Sequence, residues 1–302
     1  MLGSRVALLL LLTYAGGNTA FGQSGTQNRE IRHWPEINLN ILAVDMSGQP
    51  DTTLDKSAFR LFEDGVERSL ESVVAEDAPV SVALLIDTSG STKDSMAATA
   101  SVATAIIQSL PDASEVMAVL FADEASIGQP FTSAHAAPLS FLNQLQAHGG
   151  TSFYDALIVS EAYVAAHAQF ARRALVVLSD GGDNASRHKL QDAVRSLQQP
   201  GTPTVYFVVQ PEPRASGFER SRTERIIKTL VSADGGVMIL PTKDQGPALL
   251  GQHIAALIRS QYSVNFTASD PATDGKSHKL EVRVERPKLK ICVMPLYFAP
   301  AK

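Results

Sequence analysis

The sequence has one cysteine, Cys292, in 302 residues, which excludes an internal disulfide. Its surroundings, Lys290-Ile291-Cys292-Val293, read as a half-buried strand and make it a core residue rather than a reactive thiol. Dense basic clusters are also lacking. With 26 Lys+Arg against 31 Asp+Glu, the net charge of −5 describes a soluble acidic surface and argues against a nucleic-acid binder, which must neutralise several phosphates. Only 20 residues are glycine, far fewer than a collagen-like chain needs, and a 44% hydrophobic content excludes a disordered chain. No internal repeat is visible. No apolar run reaches the ~20 residues that span a bilayer.

The longest apolar run near the start, Val6 to Leu12, follows Arg5 and precedes small residues at Ala20 and Gly22. That is the build of a secretory signal peptide over residues 1–22, with export to the periplasm or outside the cell as its consequence. Residues 23–36 are polar and aperiodic and read as a flexible tether, with no role evident for Trp34. From 37 to 78 the pattern is all strand: Ile37, Leu39 and Ile41 alternate with Asn38 and Asn40, and Asp64-Gly65 separates two runs as a hairpin turn does.

The character changes at Pro79. Val80 to Ile86 is nearly continuous apolar sequence, as in a parallel strand covered on both faces. Strands at 115–121, 173–179, 204–209 and 237–240 then alternate with helices near 95–110, 137–147, 153–169, 187–198, 221–232 and 245–260. This predicts an α/β fold with a doubly wound, mostly parallel sheet over residues 79–260. Residues 261–302 return to strands. Each flank, at roughly 40 residues, is too small for a core of its own, so the two are expected to pair into one small β-sandwich with the α/β unit inserted between them.

Three motifs fall at strand ends, where a doubly wound sheet binds its ligands. They are Asp87-Thr88-Ser89-Gly90-Ser91, Gly149-Gly150-Thr151 and Asp180-Gly181-Gly182-Asp183-Asn184. Together they offer two carboxylates and three hydroxyls, with glycines that let the backbone approach. Oxygen ligands alone suit a hard cation, Mg²⁺ first, with Mn²⁺ or Ca²⁺ as alternatives. Ser91 alone also reads as a helix N-cap.

In this order the motifs resemble the metal-ion-dependent adhesion site of von Willebrand factor type A (VWA) domains, over about 79–260. The resemblance implies that Ser89, Ser91 and Thr151 are hydroxyl ligands. Asp87 and Asp180 match the acidic residues that hold the ion directly or through water. Phe59-Arg60-Leu61-Phe62-Glu63-Asp64-Gly65 before the domain, and Tyr262-Ser263-Val264 through Asp274-Gly275-Lys276-Ser277-His278-Lys279-Leu280-Glu281-Val282 after it, resemble the bacterial VWFA-related family. The chain departs from that family at Cys292-Val293-Met294-Pro295, where a basic stretch is usual.

The implied function is a non-enzymatic module that binds a protein partner supplying an Asp or Glu carboxylate to the ion. A Mg²⁺-dependent phosphatase is the alternative, but it needs an acidic residue where Ser89 stands; a structural part of an envelope assembly is another. A serine hydrolase finds no Gly-x-Ser-x-Gly elbow. Nearby, Asp155 reads as an acidic residue in a first helical turn, with support of the ion's ligands as the alternative; Asp183 and Asn184 read as turn residues, and Asp123 and Glu124 as a solvated turn, with a place on the rim of the site as the alternative. Asn184-Ala185-Ser186 and Asn265-Phe266-Thr267 are formal glycosylation sequons.

Overall fold

The alternation of Ile37, Leu39 and Ile41 with asparagines buries one face of β1 (Glu36–Val44). This strand is seen in a computed structural model that describes residues 34–74, 78–210, 215–242, 244–270 and 272–301. The signal-peptide reading and most of the tether lie outside the described residues. Trp34, assigned to the tether, instead packs edge-on against Tyr297 at 6.0 Å between ring centroids.

A tight turn joins β2 (Phe59–Glu63) to β3 (Val66–Arg68), and β4 (Ser72–Val74) follows. In that turn Asp64 and Gly65 have φ of 50° and 83°, the left-handed pair that a two-residue hairpin loop requires. The α/β unit then runs β5 (Ser81–Asp87), α1 (Met96–Ser109), β6 (Glu115–Phe121), β7 (Ala125–Thr132), α2 (Ala136–Leu142), α3 (Phe153–His167) and β8 (Arg173–Ser179). It continues with α4 (Leu190–Leu197), β9 (Thr204–Val209), α5 (Gly217–Asp234), β10 (Val237–Ile239) and α6 (Pro247–Arg259). Four strands close the chain: β11 (Tyr262–Thr267), β12 (Ser277–Val284), β13 (Lys290–Cys292) and β14 (Leu296–Phe298).

The central sheet has the order β10-β9-β8-β5-β6-β7, parallel except for the antiparallel edge strand β7. Every residue of β5 is buried because helices cover both faces. One apolar cluster joins β5 and β8 to α1 and α6, and another joins them to α3, α4 and α5. Two differences from the sequence reading stand out. β7 was not expected, and α5 begins at Gly217, several residues before the predicted start.

The flanking strands form two four-stranded sheets, β13-β1-β11-β4 and β14-β12-β2-β3, each mixing strands from both ends of the chain. Ile37, Leu39, Ile41, Leu61, Tyr262, Val264, Phe266 and Tyr297 fill the space between them. Cys292 is buried, as its surroundings implied, but in the core of the α/β unit. Asn265 is also buried, and its amide donates to Ser72 Oγ at 2.7 Å, so this sequon is not presented at the surface.

The sandwich docks where the helices end and the central strands begin. The Phe298 amide donates to Gln198 O at the end of α4, the Arg195 guanidinium lies 4.0 Å over the Phe298 ring, and Gly235 abuts the Val293 backbone. The carboxyl ends of the strands are left open at the opposite side of the sheet.

Candidate functional site

Strand order reverses between β5 and β8, since the chain builds outward from β5 to β6 on one side and from β8 to β9 on the other. Asp87 is the last residue of β5 and Asp180 follows the last residue of β8, so both stand at this crevice. The chain then turns sharply. Thr92 Oγ1 donates to Ser89 O at 2.8 Å and Asp87 O at 3.2 Å, closing a 3₁₀ turn over Gly90–Asp94. This latch brings Ser89 Oγ and Ser91 Oγ to 3.0 Å. Ser91 lies within that turn and caps no helix through its side chain, which answers the alternative raised by its sequence.

The other two loops are tied to the first and to each other. The Gly90 amide donates to Gly149 O at 3.1 Å and the His148 amide to Thr88 O at 2.8 Å. Ser179 Oγ donates to Asp87 Oδ2 at 2.6 Å and accepts from the Gly181 amide at 3.0 Å, joining the first and third loops. Between the second and third, the Thr151 amide donates to Asn184 Oδ1 at 2.8 Å while the Asn184 amide donates to Thr151 O at 3.0 Å. Asp87, Ser89, Ser91, Thr151 and Asp180 therefore stand on three mutually bonded loops around one crevice.

Residues that the sequence read first as turn or helix-start residues hold this arrangement. Asp123, expected in a solvated turn, accepts from the Gly150 amide at 2.7 Å, and its carboxylate occupies the space that a Cβ at Gly149 would need. Gly149 also has φ of 67°, so both the contact and the backbone call for glycine there. Asp183 accepts from the Tyr154 amide and from Ser186 Oγ, fastening the third loop to the start of α3. Asp155 accepts from the amides of Arg187 and His188 at 3.0 Å each. Burial raises its carboxyl pKa, but these donors and the His188 ring outweigh burial and hold it below the ordinary value. Glu124 remains at the surface, paired with Arg187 at 3.2 Å.

The electrostatics of Asp87 are unusual for a carboxylate. It is fully buried, and burial raises its pKa against the lowering effect of Ser179 and Ser89. The partners bonded to its oxygens, Ser179 Oγ and the Ser89 amide, are neutral. A buried carboxylate without a cation is costly, so a positive ion at the mouth of this crevice would offset a real deficit. Among the described residues, no three His, Cys, Asp or Glu side chains gather as a metal-ligand cluster. An ion here must therefore rest largely on hydroxyls. The donors for that are present, because Ser91 is exposed and the Thr151 hydroxyl takes no hydrogen bond among the described residues. The donor set fits a hard, oxygen-seeking cation.

Residues 82–182 match the family described as von Willebrand factor type A domain. No curated protein matches the chain. Among solved structures it is similar to a von Willebrand factor type A protein from Catenulispora acidiphila, with 13% identity, 88% of this chain and 73% of that one covered, and a TM-score of 0.52. It is also similar to a point mutant of the PilB minor pilin from Streptococcus sanguinis, at 12% identity, 62% of each chain and a TM-score of 0.50. A further likeness is to BatB from Bacteroides thetaiotaomicron, at 16% identity, covering 60% of this chain and 100% of that one, with a TM-score of 0.46. At these identities the first two show a shared fold. The family match and the sheet order agree: residues 82–182 belong to a von Willebrand factor type A domain, set between the two halves of a β-sandwich.

Proposed function

We propose that the chain is an exported, non-enzymatic binding protein that captures an acidic residue of a partner protein through a divalent cation. Asp87, Ser89, Ser91, Thr151 and Asp180 would hold that cation, Mg²⁺ by the hardness of the donors, with Mn²⁺ and Ca²⁺ as substitutes. Export is carried by the pattern of residues 1–22. Among the described residues no helix is long and apolar enough to cross a membrane.

The observation that carries the reading is the buried Asp87 carboxylate, held by neutral donors in a crevice that also presents the hydroxyls of Ser89, Ser91 and Thr151 and the Asp180 carboxylate. Three neutral hydroxyl ligands leave a divalent ion with much of its charge. Such an ion supplies a short, directional bond to a carboxylate oxygen from outside. Catalysis finds less support. Phosphoryl transfer of the aspartate-nucleophile kind needs an acid two residues after Asp87, where Ser89 stands, and no histidine is among the hydrogen-bond partners of Ser89 or Ser91 in the described residues.

The test is calorimetric titration of Mg²⁺, Mn²⁺ and Ca²⁺ into the chelator-stripped chain, with Asp87→Ala and Thr151→Ala beside it. Saturable binding by the wild type, lost in Asp87→Ala, is expected, followed by chelator-sensitive capture of a carboxylate-bearing partner. Binding that survives Asp87→Ala unchanged would place the ion elsewhere and overturn the reading.

A further inference from the structure

We propose that Glu161 and Asp234 form a proton-held brace that docks the C-terminal strands of the sandwich on the α/β unit and releases them as pH rises. The two carboxyls come from different helices, Glu161 from α3 and Asp234 from the last residue of α5, and both are buried. Neither belongs to the ion crevice. Asp234 accepts from the amide of Val205 near the start of β9, whereas the crevice lies at the carboxyl ends of the strands.

Each acid fastens an element that carries a sandwich contact. Glu161 Oε2 accepts from Ser196 Oγ, tying α4 to α3 two residues before Gln198, whose carbonyl accepts from the Phe298 amide at 2.9 Å. The guanidinium of Arg195, on the same turn of α4, lies 4.0 Å over the Phe298 ring. Asp234 accepts from the Val205 amide at 2.6 Å and the Gly236 amide at 2.9 Å, which fixes the turn at Gly235. That glycine has φ of 73° and is pressed against the Val293 and Met294 backbone, with no room for a Cβ. A buried acid therefore stands behind each contact that the β13–β14 side of the sandwich makes here.

The pair lacks a counter-charge. Burial raises the Glu161 carboxyl well above its ordinary value, the Ser196 hydroxyl opposes this, and Asp234 adds to it. Glu161 Oε1 is buried and takes no hydrogen bond among the described residues. Burial likewise pushes Asp234 up to about 8 against its amide donors. The groups that face the pair from other elements are neutral: Ser196 on α4, Tyr206 on β9 and Cys292 on β13, the last two with their protons held by burial. Arg172 bears on Tyr206 and Lys290 on Cys292, but among the described residues no cation bears on either carboxyl.

Both acids thus hold a proton more tightly when the strands are docked than when the contact opens to water. Opening releases protons, so docking is fully favoured below the ordinary carboxyl value of 3.8 and progressively less as pH rises towards 8. The two chain crossings are held separately, by Arg172 on the carbonyls of Ala78, Ile258 and Arg259, and serve as the hinge.

The test is amide hydrogen exchange of the full chain, read by NMR from pH 5 to 8 and corrected for the base-catalysed intrinsic rate. Phe298 reports the dock. The next amide, Ala299, donates to Lys276 O within the sandwich at 2.8 Å and is the control that undocking leaves untouched. Corrected exchange at Phe298 should rise about tenfold per pH unit for each proton released on opening, while Ala299 stays level. Glu161→Gln and Asp234→Asn should each lower that slope and together abolish it. Carbon-13 shifts of the two carboxyl groups in the wild type, a reading that needs no variant to fold, should show the pair still holding a proton at pH 6. The brace is overturned if Phe298 shows no slope, if Ala299 shares it, if it survives in the double variant, or if both carboxyls are ionised at pH 6.

Discussion

Asp87 keeps its place because each of its oxygens has a donor, the Ser89 amide on one side and the Ser179 hydroxyl on the other. Ser179→Ala removes the second without changing the shape of the fully buried site. A hydrogen bond to a buried carboxylate contributes about 1.5–3 kcal/mol, so the variant should melt lower and bind Mg²⁺ about tenfold more weakly by calorimetry. Ser160→Ala is the control, because the Ser160 hydroxyl is buried without a partner among the described residues and its loss should be close to neutral. A second residue-scale expectation concerns Asp234. Burial pushes its carboxyl up to about 8 from 3.8, against the amides of Val205 and Gly236 that it accepts. The folded state thus holds this proton more tightly than the unfolded chain. Its contribution is fully present below pH 3.8 and is lost as pH rises towards 8, at about 1.4 kcal/mol per pH unit. Glu161, raised by burial as well, acts in the same direction. Urea melts from pH 4.5 to 7.5 should show declining stability, and Asp234→Asn should flatten the decline; an unchanged slope would contradict the assignment.

Helix α6 lies against α1 with Gly251 at the contact. A Cβ there would sit 2.5 Å from Val102 O and 2.6 Å from Ala105 Cβ, with no flexible side chain to yield. Gly251→Ala should separate the two helices and cost about 1–3 kcal/mol despite its better helix propensity, read as a lower denaturation midpoint with an unchanged slope. Elements also differ in how well local pattern marks them. The early start of α5 has a signal, since Ser216 and Glu219 form a capping box in which Ser216 Oγ accepts from the Glu219 amide. β7 is less legible. Its alternation of Ile127, Gln129 and Phe131 is broken by Gly128 and Pro130, residues that argue against a central strand and are tolerated here because β7 is an edge. The run from Val66 to Val74 reads as one strand but divides into β3 and β4, which join different sheets.

At the scale of the molecule, one guanidinium links both crossings between sandwich and α/β unit. Arg172, buried, donates to Ala78 O on the way in and to Ile258 O and Arg259 O on the way out. With the Phe298–Gln198 and Val293–Gly235 contacts, it joins the two parts into one cooperative body. The wild type should unfold in a single calorimetric transition. Arg172→Met should lose about 2–4 kcal/mol by removing a donor from three carbonyls and should split that transition, with the sandwich melting first. A single transition at an unshifted temperature would show that the clamp carries no coupling.

Local order determined the α/β class, the hairpin at Asp64-Gly65, the strand ends that carry Asp87 and Asp180, and the pairing of terminal strands into a second unit. Each follows from periodicity, turn chemistry or insufficient core size, all of which act over short stretches of chain. Only the tertiary structure decided that Ser179 bonds Asp87, that Asp123 and Asn184 hold the Gly149–Thr151 loop, and that Trp34 packs on Tyr297. Asp123 and Asn184 are 27 and 33 residues from the amides they accept, and the Ser179–Asp87 bond spans 92. Side-chain bonds over such separations depend on which strand ends the sheet order brings together, and no local pattern encodes that order.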